Sequence, residues 1–386
     1  MCGTNYITIE NYPVKCRLYV NKEQAEIIDL CLAGLGEIYN HAMYDACVNH
    51  VNTREVVNED SVSHFVDFNA MIKAEYLDEL RAAHTKSSYI PASALSGKNG
   101  LFLNDMKKAF IKTYETTTGK KSTKNATLPV EIIEDMREKN KTSRKKQSVP
   151  KYHSRLNPVT SYTYQETLNK VTFKDNPNVI YMNLNKLGDV KIRGFNQGLR
   201  FDDGSDEPID FKEYCARNKG KKITVTILKD TCGDHFIVFK LQNVLKPCRI
   251  QQNGEVGVDV GEINPAIRSD GYKYPQMDFK KINKKLDKTQ RLTSRRQGPK
   301  NPEFRKKAKR YKEENGTALQ PSKRYLGTQM KYNKLSRKKT RVRENYYNNI
   351  SYQLATQYGF VSVETLGDLT YRKDKSKVAK QSKEKA

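Results

Sequence analysis

The 386-residue chain has no tryptophan, no Cys-x-x-Cys pair and no run of 18 or more apolar residues. The last of these absences excludes a sequence-evident membrane-spanning helix. Seven cysteines, odd in number and widely spread, suit neither a disulfide framework nor a zinc ribbon, and read as buried free thiols. No Walker loop and no Gly-x-Gly-x-x-Gly run occurs, so nucleotide-fuelled chemistry has no support. The six histidines are scattered, and His41 and His50 stand too far apart on one helix for i, i+4 metal pairing, which favours surface or packing roles. Residues Met1 to Tyr6 lack the basic and apolar regions of a secretory leader, so a cytoplasmic location is expected.

What is present in excess is positive charge. Lysine and arginine number 70 against 44 acids, a net +26, and mean hydropathy is −0.81. Such a balance speaks about partners: a polyanion is the natural one. The excess is concentrated between Lys280 and Arg343, where 24 basic residues meet four acids. Ile282, Leu286, Leu292, Phe304, Ala308 and Tyr311 give this segment a sparse apolar seam, and Gln297 to Pro299 and Asn315-Gly316 break it into separate helices. The acids Asp202, Asp203, Asp206, Glu207 and Asp210, mixed with Gly, Ser and Pro, read as a solvated loop without a catalytic role.

Periodicity places the other elements. Lys15 to Val20 reads as a strand, followed by a helix from Asn21 with Gln24 completing a capping box. Ile28, Leu32, Leu35, Tyr39, Ala42 and Ala46 form its burying face, beside which Asn40 and His41 are expected to bond locally. Ser61 to Ala83, Leu101 to Tyr114 and Leu128 to Met136 also read as helical. Short strands follow at Val171 to Phe173, Val179 to Met182, Val190 to Arg193, Ile223 to Leu228 and Phe236 to Leu241, which suggests a small antiparallel barrel or sheet. A further helix, Val342 to Tyr358, leads into the last strand, and 371–386 read as a disordered basic tail.

Two acid-tipped apolar runs carry the chemistry: Val256 to Gly261 (VGVDVG) and Phe360 to Leu366 (FVSVETL). A carboxylate at the end of a β-branched strand costs free energy unless something positive meets it, and in a basic protein a divalent metal over a phosphate would serve. The bland reading is a turn cap or a lysine partner. Ser269-Asp270-Gly271 between short runs signals a hairpin after the first acid. Strand, hairpin, long helical stretch and second acid-tipped strand is the opening order of an RNase H-like fold.

On these residues the chain resembles the TnpB family, transposon-encoded RNA-guided nucleases also called OrfB transposases, kin of the compact type V CRISPR effectors. Lys15 to Gln24 (KCRLYVNKEQ) with Ile38 to Ala42 (IYNHA) is similar to its opening strand and first recognition-lobe helix; Pro150 to Tyr152 and Leu184 to Arg193 (LNKLGDVKIR) are similar to its wedge strands. The two acid-tipped runs resemble its first two RuvC motifs.

The resemblance implies an α+β multidomain protein: a first wedge strand (1–20), a helical recognition lobe (21–145), a small wedge β-barrel (146–250) and an incomplete RNase H-like, RuvC-type α/β domain (251–370). It implies Asp259 and Glu364 as catalytic, Mg²⁺-binding acids, with guide RNA and double-stranded target DNA as partners in a prokaryotic or phage setting. Contacts to nucleic acid fall to Arg17, Lys151, Tyr152, Lys191, Arg193, Arg295, Arg296, Arg305, Lys306, Arg337, Lys338, Lys339 and Arg341. Two features depart from the family: Asn348 stands where a His is common, and the 22 residues after Glu364 hold neither the zinc ribbon nor the third acid. No zinc is therefore expected, and a nuclease-deficient target binder, acting as a repressor or accessory factor, is the leading expectation. A piece of an active endonuclease and a general RNA-binding protein are the alternatives.

Overall fold

In the computed structural model, residues 6–95, 101–122, 126–143, 147–154, 158–173, 179–195, 199–202, 204, 208–247, 254–260, 266–296, 298, 301–316 and 319–363 are described. The chain divides into two compact units, Met1–Pro247 and Cys248–Ala386. No helix among the described residues is long and apolar enough to cross a membrane.

The first unit contains β1 (Tyr6–Ile9), β2 (Tyr12–Tyr19), α1 (Lys22–Cys47), β3 (Thr53–Asn58), β4 (Ser61–Val66), α2 (Phe68–Met71), α3 (Ala74–Ala83), α4 (Ala92–Leu95), α5 (Leu101–Thr118) and α6 (Val130–Thr142). It continues through β5 (Ser161–Thr167), β6 (Val171–Phe173), β7 (Val179–Leu184), β8 (Gly188–Arg193), β9 (Arg200–Phe201), α7 (Phe211–Arg217), β10 (Lys222–Lys229), β11 (His235–Leu241) and β12 (Val244–Pro247). Seven of these strands form one antiparallel sheet in the order β5-β10-β11-β2-β8-β7-β6. The edge strands β5 and β6 are consecutive in sequence, joined by the 3₁₀ turn Leu168–Lys170, which reaches about 10 Å at most. The sheet must therefore curl until its edges approach. Among the described residues no ladder joins them, so the expected barrel is an open, curled sheet.

Helix α1 starts as the sequence predicts. Asn21 Oδ1 accepts from Gln24 N at 2.8 Å and Gln24 Oε1 accepts from Asn21 N at 3.0 Å. The same glutamine donates Nε2–H to the carbonyls of Leu187 and Asp189, tying the helix start to the β7–β8 turn. All six apolar positions of its predicted face are buried. Asn40, expected to bond locally, instead makes a two-way amide pair with the backbone of His153 (2.9 and 2.7 Å); His41 meets Asp45 one turn on, Nε2 at 3.6 Å, and its Nδ1 also lies 3.0 Å from the distant His84 Nε2. Sequence spacing reveals helix neighbours and is blind to such pairings.

The helix expected over Ser61 to Ala83 is corrected. Its first part is β4, paired with β3 from Thr53↔Val66 to Asn58↔Ser61 around Glu59-Asp60, and only then do α2 and α3 follow. Asp67 separates the two regimes by capping α2, accepting from Asn69 N at 2.9 Å.

The second unit contains β13 (Glu255–Asp259), β14 (Ile267–Arg268), α8 (Lys280–Arg295), α9 (Pro302–Asn315), α10 (Lys323–Gln357) and β15 (Phe360–Val363). Strand β13 is central, antiparallel to β14 and parallel to β15. The Asp-Gly hairpin forms as expected: Gly271 N donates to Arg268 O, and Gly271 takes the left-handed φ of +86° that its turn requires. Val256 and Val258 are buried with Ala266, Tyr274, Ile350 and Leu354. The basic segment breaks into helices where the sequence predicts. Asn301 caps α9 with Pro302 at its first turn, and Gly316 closes it in the αL conformation. The helix expected from Val342 is the second half of the continuous 35-residue α10. The tail 371–386 lies outside the described residues.

Candidate nucleic-acid interface

Alternation along β13 sets the direction of Asp259. Val256 and Val258 face the core under Ile350 and Leu354, so Glu255, Gly257 and Asp259 take the opposite face, and Asp259 is exposed. Gly257 belongs to the same row; its N–H donates to Ser269 Oγ at 3.1 Å, and its carbonyl accepts from Ser269 N at 2.8 Å. The parallel ladder runs from Glu255↔Phe360 through Val258↔Val363. Asp259 and Glu364 are the residues that follow this last pair in sequence; Glu364 itself lies outside the described residues. Asp259 has no ion-pair or hydrogen-bond partner shown among the described residues. Its hard, exposed carboxylate suits Mg²⁺, which keeps several waters and takes one or two carboxylates.

Between β14 and β15 the chain makes its basic excursion. α8 and α10 run antiparallel: Arg296, at the end of α8, donates to the Arg324 carbonyl at 3.0 Å and to Thr328 Oγ1, while Lys339 Nζ lies 5.5 Å over the ring of Phe279 at the other end. The trough between the two helices is lined by Lys285, Lys288, Arg296, Arg324 and Lys331 together with Leu292 and Leu335, and no acid lines it. Five cations facing one cleft repel one another unless a polyanion enters. Lys285, Lys288, Arg324 and Lys331 were not singled out in the sequence, where they are four among 24 similar residues; only the antiparallel pairing of α8 with α10 selects them.

Of the residues expected to touch nucleic acid in this unit, Arg295, Arg305, Lys306, Lys338 and Arg341 are exposed, while Arg337 and Lys339 are half-buried. Arg296 is spent in part on joining α8 to α10, and Lys339 in part on Phe279.

The first unit carries a second basic surface. Cys16 and Leu18 of β2 and Val190 and Ile192 of β8 point into the core, so Arg17, Tyr19, Lys191 and Arg193 share the outer face. The register sets Arg17 opposite Arg193 and Tyr19 opposite Lys191. Like charges directly opposite each other destabilise a sheet. Here Asp234 offsets the repulsion by accepting from Arg17 at 2.6 Å, and the Arg17 guanidinium lies 5.5 Å over the Tyr19 ring. Guanidinium, ammonium and an exposed phenol ring on one face are the groups that phosphate contact and base stacking call for.

Two further expected residues separate. Lys151 is exposed, whereas Tyr152 is half-buried beneath the Arg137 guanidinium, 4.9 Å from its ring, and burial raises its phenol above the ordinary value. Arg137 in turn pairs with Glu134 and donates to the Pro150 carbonyl at 3.1 Å. Tyr152 thus packs against Arg137 of α6.

No family model and no curated protein sequence matches this chain. Among solved structures it is similar to Cas12f1 in a cryo-EM structure of the Cas12f1-sgRNA-target DNA complex, at 11% sequence identity and a TM-score of 0.32, over 95% of this chain and 83% of that one.

Proposed function

We propose that the protein is an RNA-guided DNA-binding protein of TnpB type that holds a guide RNA and its target on basic surfaces and carries a RuvC-like pair of strands. The observation that carries this reading is the parallel register of β13 with β15, which sets Val258 opposite Val363 one residue before each acid. Insertion of the cationic α8–α10 excursion between those strands supports it, because backbone-directed grip on a heteroduplex asks for many cations and few base readers.

Asp259 and Glu364 would hold Mg²⁺ in this reading, and the bound ion would polarise a phosphate oxygen and activate water. Two-metal phosphodiester cleavage needs further carboxylates to hold each ion separately. Asp259 and Glu364 would not hold two ions by themselves, and Glu255, on the same face of β13, stands four residues before Asp259 at the other end of that strand, so these 386 residues are read as binding the target without cutting it. Its own groups do the holding: the α8–α10 trough neutralises backbone phosphate, and the Arg17–Arg193 face adds a second contact.

The test is to purify the protein, sequence the RNA that comes with it, and challenge the complex with matched duplex DNA and Mg²⁺. One defined RNA species with a variable end, together with target retention and no cleavage, is the expected result. Bulk ribosomal RNA would overturn the guided reading. Cleavage that disappears in Asp259→Asn would overturn the non-cutting one.

A further inference from the structure

We propose that His50, His64 and Glu131 form a binding site for one borderline divalent cation of the zinc type, clamping the β3–β4 hairpin to the ends of α1 and α6. The three residues are remote in sequence, and folding brings one ligand atom of each within 4.8 Å of the others.

Each ligand is held by its own element. His50 lies just past α1 in a left-handed conformation, φ +53°, and its carbonyl accepts from Thr53 Oγ1 at 2.6 Å. Positive φ on a non-glycine residue is costly and marks a loop fixed by its surroundings. His64 is in β4, opposite Glu55, and its ring stacks on that of His50 with centroids 4.1 Å apart. Glu131 occupies the first turn of α6, where the helix dipole favours a carboxylate. Its two oxygens accept from His64 N at 3.0 and 3.3 Å, and one also meets His64 Nδ1. Burial pushes the Glu131 carboxyl up, but hydrogen bonds from its own backbone and from His64 outweigh this and leave it below the ordinary value.

Two imidazoles and a carboxylate are the protein ligand set of four-coordinate zinc sites in which water takes the fourth position. Such a site brings its ligand atoms to about 3.3 Å from one another, given metal–ligand lengths near 2.0–2.1 Å. Closing from 4.8 Å is a matter of side-chain rotation by the exposed His50. The ion takes the place of the hydrogen shared by His64 and Glu131, and that proton leaves to water.

The experiment uses the full chain, stripped with chelator and titrated with Co²⁺ and then Zn²⁺. One Co²⁺ per chain is expected, with a visible spectrum lacking a thiolate charge-transfer band, and Zn²⁺ should displace it. His50→Ala, at an exposed position, and Glu131→Gln, which keeps the side-chain shape, should each weaken binding at least about tenfold. The titration is run in excess Mg²⁺, which fills hard carboxylate sites and should not compete at the two imidazoles, and this separates the site from the acid-tipped strands. Absence of saturable binding, a thiolate band, or affinity unaffected by His50→Ala would overturn the proposal.

Discussion

Gly298 is buried against Tyr325, so closely that a Cβ built there would lie 1.9 Å from the ring. Gly298→Ala is therefore expected to displace the buried ring of Tyr325 at the start of α10. The cost is about 1–3 kcal/mol, as for other overpacked sites, and would be seen as a lower denaturant midpoint. Asp259 carries the opposite kind of prediction. Asp259→Asn should leave the midpoint within about 0.5 kcal/mol of the parent, since the side chain is exposed, yet reduce Mg²⁺ binding measured by calorimetry. The Glu131 carboxyl titrates below its ordinary value, so its contribution is fully present above the unfolded-state pKa and is lost as pH falls through the lowered folded one. Protection factors in β3–β4, taken relative to the intrinsic exchange rate at each pH, should accordingly fall in that acidic window and stay flat above it. At this scale the strand ending at Asp259 was legible, because Val256 and Val258 alternate inward up to an acid that faces out. The bonds from Asn40 to His153 and from His41 to His84 were not, because they span 113 and 43 residues.

Strands β2 and β8 make a surface from register alone, and the Arg17↔Arg193 pair gives a measurable handle on it. Replacing both by alanine should lower the slope of log affinity against log salt for nucleic acid by about 2, roughly one for each lost phosphate contact. The double variant loses the Arg17–Asp234 pair together with the Arg17–Arg193 repulsion, and since exposed pairs are worth little its stability should stay within about 1 kcal/mol of the parent. Elements with strict alternation or a capping box were readable in sequence: β10, β11 and α1 lie within a few residues of expectation. Strand β5 was missed although Tyr162, Tyr164 and Glu166 alternate inward, because a buried glutamate disguises the pattern. Its carboxylate is satisfied by Lys170 Nζ and Asn185 N, each at 2.7 Å. The hairpin β3–β4 escaped for a different reason: Val57 and Val62 are exposed, so its strands lack a clean inner face.

The two units differ in what holds them together. An extensive cluster threads the first, from Cys16 to Val244, while among the described residues of the second the buried apolar cluster comprises Val256, Val258, Ala266, Tyr274, Ile350 and Leu354. With little apolar burial and a dense positive field, the second unit should melt first in a calorimetric scan, and a short duplex or heparin should raise that transition more than the other. A single transition insensitive to polyanion would contradict this. The concentration of charge was plain in the sequence; its arrangement as a trough was not, because it depends on how α8 returns along α10. That long helix has one more implication. Its 35 residues extend about 50 Å, with Arg324 and Lys331 near one end and Ile350 and Leu354 clasping β13 near the other. It acts as a rigid spacer whose phase matters as much as its length. Two residues inserted after Arg343 would turn the ends about 200° out of phase, whereas four would restore the azimuth to within about 40° while adding about 6 Å. Nucleic-acid affinity that survives the four-residue insertion and fails with two would show that the cationic cleft and the acid-bearing strand are read by one ligand in angular register.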